Sequence, residues 1–220
     1  MRLLSLVLIF SGIGLAFSPL YPEFVQTAIV AADQSSDASK TATDFDLKAG
    51  GSNVVPQTDL VEGEIFGVLY APRLGADYRR PIGQGTSVEQ VLNRVGVGHY
   101  RHSALPYQDG NFALAAHRTT YGGSFNNIDR FVPGDKIYIE TNWGWFEYEV
   151  IESRVVEPSA LWAVSADPLK LGTARYLTLT TCTPRYTAEK RLAVWAKQVK
   201  QYSRAMGAPD ALQTLLASDG

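Results

Sequence analysis

Thiols are almost absent from this chain: Cys182 is the single cysteine among 220 residues. An intrachain disulfide is therefore excluded, and so is a zinc site built on several thiolates. Charge of one sign is lacking as well, since 20 Lys and Arg stand against 22 Asp and Glu for a formal net charge of -2. Without a basic surplus to neutralise phosphates, nucleic acid is not an expected partner. Histidine is scarce, and His99 and His102 lie on a different stretch from His117 with no carboxylate array beside them, so no metal and no cofactor is expected. No GK[ST] follows the glycines after Tyr121, which reads that segment as a mobile loop and not a phosphate cradle.

What is present is a chain that is 45% hydrophobic, enough for one good core with a terminal segment left over. Nineteen Gly and eleven Pro punctuate a sequence carrying eleven Tyr and nine Phe. Many turns between aromatic-rich runs point to an all-β domain. Residues 1–20 contain LLSLVLIFSGIGLAF after Met1 and Arg2, a signal or anchor segment. About 20 apolar residues span a bilayer and cleaved signals are shorter, so its length falls between the two. No small-x-small site follows directly, although the Ala-rich Ile29 to Ala32 offers alternatives, and an uncleaved anchor is the favoured reading. The short positive flank places the following chain outside the cell, which predicts a single-pass membrane protein with an extracellular domain. Residues 21–58 read as a linker: from Asp33 onward Asp, Ser, Ala, Lys, Thr and Gly dominate, and too few large apolar groups remain to order a backbone.

The folded domain is expected over 59–200. IFGVLYAPRL opens it as a β-rich run, and further strands are predicted at Asn111 to His117, Lys136 to Thr141, Trp145 to Val156, Arg175 to Cys182 and Arg191 to Lys197. Alternation is clearest in WFEYEV, where Phe146, Tyr148 and Val150 share a face. One helix is predicted between Thr86 and Gly96: Thr86 and Glu89 form a capping box, and Val88, Val91, Leu92 and Val95 mark one face. Many strands with few helices indicate a barrel or sandwich. The tail, 201–220, contains PDALQTLLA, a short amphipathic helix.

Three chemically distinctive residues fall at ends of predicted elements. Cys182 closes RYLTLTTC before Thr183 and Pro184, His117 closes NFALAAH before a turn-prone segment, and Arg191 opens the strand after the Cys182 turn. A hairpin between Cys182 and Arg191 would bring thiol and guanidinium together. Cys, His and Arg suit covalent acyl transfer: thiolate attacks a carbonyl, imidazolium protonates the leaving amine, and a cation stabilises the oxyanion.

TLTTC at Cys182 with KRLAVW from Lys190 resembles the nucleophile and arginine strands of the sortases, and GNFALAAHRTTYGGSF resembles their histidine segment. The resemblance runs from about Glu64 to Lys197, and Tyr121 in HRTTYG makes the chain most similar to class E sortases. It implies a sortase-type β-barrel with one or two short helices, with His117, Cys182 and Arg191 catalytic and Tyr121 and Thr181 beside the substrate groove. It also implies cleavage of a sorting signal, Leu-Ala-X-Thr-Gly or Leu-Pro-X-Thr-Gly, between Thr and Gly. The partners would be secreted proteins bearing that C-terminal signal and an amine acceptor from peptidoglycan or a pilin. Ala116 stands where Gly is expected before the histidine, and RHS replaces a Pro-Gly-containing stretch after GHY. A pilin-polymerising sortase and a catalytically silent, envelope-anchored binding module are the alternatives. An L,D-transpeptidase would need an SHGC-like nucleophile motif, which TLTTC is not.

Overall fold

The computed structural model describes residues 20–48, 58–172 and 174–217. The predicted anchor thus lies outside the described residues except for Leu20. Among the described residues no helix is long and apolar enough to cross a membrane.

Eight strands close a barrel. They are β1 (Ile65–Tyr70), β2 (Arg79–Gln84), β3 (Val97–His99), β4 (Gly110–Ala116), β5 (Lys136–Thr141), β6 (Gly144–Val156), β7 (Arg175–Thr183) and β8 (Lys190–Ser203), in the order β1-β2-β3-β4-β7-β8-β6-β5. The β2/β3 and β4/β7 pairs are parallel and the others antiparallel. Period-two alternation sends Phe112, Leu114, Ile137, Ile139, Phe146 and Tyr148 into one central cluster. An all-β fold follows, as the composition predicts.

The segment read as a flexible linker is different. Residues Leu20–Lys48 form a helix, α1, that lies across β2, β1 and β5. Gln34, Ala38 and Phe45 make a narrow buried stripe at helical spacing. Phe45 and Ala38 join Val68, Tyr70, Tyr138 and Trp145 in a second apolar cluster on the outside of the barrel. Ser39, Thr41 and Thr43 donate their hydroxyls to the carbonyls four residues back, which satisfies these side chains within the helix. Composition misreads this stretch because tertiary packing, not propensity, supplies most helical stability.

The helix predicted between Thr86 and Gly96 is a single turn of π type, Val88–Leu92. Ser87 precedes it with no side-chain cap, and Glu62 accepts from the Ser87 amide instead, so the expected capping box is not formed. Val91 and Val95 are buried as predicted, whereas Val88 is exposed. β8 continues to Ser203 because β6 pairs with it along nearly its whole length, past two bulges. The domain therefore extends beyond residue 200, and a second helix, α2 (Asp210–Ala217), covers the outer cluster with Leu212.

His99, on β3, is wholly buried between Phe66 and Phe112. Its Nδ1 lies 2.6 Å from Gln84 Oε1 and its Nε2 2.9 Å from Ser103 Oγ. It is a structural histidine. Burial pulls its pKa down to about 4, although bonds with Ala104 and Ser103 oppose the shift. The folded value lies below the unfolded one, so its contribution is complete above about pH 6.5 and is lost as pH falls toward 4. The loss amounts to roughly 3 kcal/mol at most. Urea unfolding followed from pH 7 to 4 is expected to show a steeper decline for wild type than for His99→Gln. Parallel curves would mean that His99 takes up its proton equally readily in the folded and unfolded states.

Candidate active site

The site is built by strand register. On β4, Phe112, Leu114 and Ala116 join the central cluster, so Ala113, Ala115 and the next residue, His117, take the outer face. On β7, Leu177 and Leu179 point in, which puts Thr178, Thr180 and Cys182 on that same outer face. The parallel register ends at Ala115↔Thr180, and two more steps bring His117 level with Cys182. Across the other edge of β7, Cys182 pairs directly with Arg191. Three adjacent strands thus carry His117, Cys182 and Arg191 at one level on one face, about 4.8 Å from strand to strand. Cys182 is a free, half-buried thiol.

His117 is held on two sides. Asn93 Oδ1 lies 2.8 Å from its Nε2, and an amide oxygen can only accept, so Nε2 carries a proton. The Tyr121 ring lies 5.4 Å away at 34°, centroid to centroid. Burial under these neighbours lowers the imidazole pKa from its ordinary value. Tyr121 itself is 37% exposed and adopts φ +47°. Arg191 Nη1 donates to the carbonyls of Ala188 and Lys190, at 2.9 and 3.0 Å. This anchors one corner of the guanidinium on the β7–β8 turn and leaves the Nε and Nη2 edge for other acceptors. No carboxylate among the described residues pairs with it. A nucleophile, a proton carrier and an un-neutralised cation on one face can perform acyl transfer through a thioester.

The Sortase domain family profile matches residues 69–199 of this chain. The chain belongs to the sortase family. It is 40% identical over 159 residues to sortase SrtE1 of Streptomyces coelicolor, an alignment covering 68% of this chain and 45% of that relative. The chain thus spans less than half the length of that protein. Identity to sortase SrtE2 of the same organism is 33% over 183 residues, covering 78% of this chain and 72% of the relative. Among solved structures, sortase E1 from Streptomyces coelicolor with a tripeptide in its active site superposes with a TM-score of 0.65 at 40% identity, covering 68% of this chain and 97% of that one. This sortase is therefore similar to class E members, as the Tyr121 segment suggests.

Of the five sequence-predicted site residues, His117, Cys182, Arg191 and Tyr121 converge. Thr181 does not join them: it is only 3% exposed, and its hydroxyl donates to Ala116 O at 2.8 Å. Alternation turns it to the barrel side, where it ties β7 to β4. Thr180 is the threonine on the outer face, bonded to the Leu114 carbonyl and to Tyr100 Oη. Tyr100 in turn lines a cavity of about 590 Å³ with Leu161, Val164 and His102.

Two residues of the site escaped sequence reasoning. Asn93 follows the π turn, 24 positions from His117, and nothing local marks it. Arg118 had a signal, because the residue after an outward His117 must turn inward, and a buried arginine needs partners. Its Nη1 donates to Thr183 Oγ1 at 2.6 Å and approaches Cys182 O at 3.5 Å, while Nη2 pairs with Asp129 at 3.2 Å. The guanidinium thereby bridges the end of β4 to the end of β7. Arg118→Gln is expected to lower the unfolding free energy by about 1–3 kcal/mol, because Thr183 and Asp129 lose a buried charged donor. An unchanged urea midpoint would show that the bridge does not hold the strands together.

Proposed function

We propose that this chain is a cysteine transpeptidase that cleaves a sorting signal between Thr and Gly and passes the resulting acyl group to an amine of the cell envelope. The observation that carries this reading is the register that sets the single thiol between His117 and Arg191 on three neighbouring strands. In the first half-reaction Cys182 Sγ, as thiolate, attacks the threonine carbonyl carbon, and the carbonyl electron pair moves onto oxygen. Arg191 offers its free edge to that oxyanion. Collapse breaks the C–N bond, and His117 delivers its proton to the departing glycine amine, leaving a thioester on Cys182. Since Asn93 occupies Nε2, the nitrogen that exchanges this proton is Nδ1. In the second half-reaction the acceptor amine attacks the thioester, gives its proton to His117 and expels the thiolate, so the site is regenerated.

The acceptor is an amine of peptidoglycan or of a pilin subunit, and the substrates are secreted proteins with a C-terminal signal. In this reading the apolar segment in residues 1–20 is a single membrane anchor and the barrel lies outside the cell. The Cys182→Ala variant is expected to lose both peptide cleavage and the thioester adduct seen by mass spectrometry, while keeping its fold. Cleavage by that variant would overturn the cysteine mechanism. An intact thiol that never forms an adduct with any sorting peptide would favour a silent binding module.

Tyr121 carries the choice of signal. Its ring packs on His117 and remains partly exposed, which supports a role for it beside the bound peptide. A phenol oxygen can accept from the N–H of alanine in Leu-Ala-X-Thr-Gly, whereas proline in Leu-Pro-X-Thr-Gly has no N–H to give. One hydrogen bond at about 0.5–1.5 kcal/mol corresponds to a preference of roughly three- to ten-fold for the alanine peptide. Tyr121→Phe is expected to shrink this ratio of kcat/KM values. A ratio that stays the same in the variant would remove Tyr121 from selectivity.

A further inference from the structure

The residues that hold His117 come from two separate turns, and both turns meet one side chain of α1. Gln34 is 1% exposed. Its Nε2 donates to the carbonyl of Tyr121 at 3.1 Å, and its Oε1 accepts from Ser124 Oγ at 3.0 Å. The same amide presses on the backbone of the turn after Asn93. A Cβ at Gly96 would lie 2.7 Å from Gln34 Cδ, and one at Gly122 would lie 2.5 Å from Gln34 Oε1. Both glycines have positive φ, +104° and +85°, so each turn leaves room for the amide in a conformation that glycine favours. One of these turns follows Asn93, the partner of His117 Nε2. The other follows Tyr121, the ring stacked on the imidazole.

Tyr121 adds a second reason. Its φ of +47° is unfavourable for a residue with a Cβ and persists only where surroundings over-determine it. The bond from Gln34 to its carbonyl is one such determinant. A buried primary amide is costly unless both ends are paired, and here donor and acceptor are both spent on the 121–124 segment. Gln34 also lies outside residues 69–199, the part of the chain that matches the family profile. The matched barrel therefore does not itself contain this contact.

We infer that Gln34 is a positioning residue for His117, contributed by the N-terminal helix: it locks the Asn93 and Tyr121 turns against each other and so fixes the imidazole between them. The inference rests on the reading of His117 as proton carrier. Loss of the clamp leaves Cys182 and Arg191 in place but lets the imidazole wander, so the effect falls on turnover and not on peptide binding.

The test uses the full chain with Gln34→Ala and Gln34→Glu, and His117→Ala and Thr43→Ala as references. Glu keeps an acceptor for Ser124 and loses the donor to Tyr121. Both Gln34 variants are expected to lose roughly 5- to 30-fold in kcat on a sorting peptide with KM nearly unchanged, since small misplacements of a catalytic group cost this much. Thr43→Ala, on the exposed side of α1, is expected to match wild type. The carbon-bound ring protons of His117, shifted by the Tyr121 ring in wild type, are expected to move toward their free positions in both Gln34 variants. This NMR readout tests the clamp whether or not the peptide turns over. Wild-type kcat with an unmoved His117 signal in both variants would overturn the inference while leaving the transpeptidase reading intact. So would equal losses in kcat and KM with an unmoved signal, which mark general loosening. Full activity in His117→Ala would instead overturn the reading of His117, and the inference with it.

Discussion

The parallel ladder between β4 and β7 is the constraint on which the rest of the molecule depends. These strands are far apart in sequence, and their pairing both closes the barrel between its two halves and sets His117 level with Cys182. The ladder ends at Ala115↔Thr180, just short of His117 and Cys182. Beyond that point the ladder no longer fixes the two strands, and side chains take over. Thr181 bonds Ala116 O, and Arg118 reaches Thr183 and Cys182. A slip of one residue would turn either His117 or Cys182 to the opposite face, so register and not proximity in sequence is what assembles the site.

Much of this was legible in the sequence, for identifiable reasons. Strands with β-branched or aromatic alternation, such as β5, β6 and β7, declared themselves within a residue or two. β2 did not, because RRPIGQ opens with two arginines and a proline and shows no period. β3 has only three residues, too few for any pattern. The Cys182 hairpin was readable because both its strands are local, whereas the contact of His117 with Asn93 is made by tertiary folding alone. Thr181 and Thr180 show the finer limit: adjacent identical residues in TLTTC both bond to β4 carbonyls but from opposite faces of β7, and only the phase of the strand decides which face each takes. α1 was missed because its buried stripe is one glutamine, one alanine and one phenylalanine, a pattern too sparse to register as amphipathic.

That helix is pinned at two distant points. Near its middle Gln34 engages the Tyr121 segment, and near its end Asp46 pairs with Arg204 while Phe45 lies under the same guanidinium. Arg204 continues inward to Glu140, which also accepts from Tyr70, so the far anchor reaches β5 and β1. A rod fixed at both places behaves as a strut across the barrel wall and not as a tether hanging from it. Disturbance at either end has a direct mechanical route to the other.

The scarcity of thiols has a last consequence in redox terms. A sulfenic acid formed on Cys182 meets no second cysteine in this chain that could capture it as a disulfide. It must be rescued by a thiol from outside, as a mixed disulfide, or proceed to the sulfinic acid, which ordinary thiols do not reverse. The working lifetime of the site under oxidant is therefore set by the thiol content of its surroundings, a property that no residue of the barrel controls.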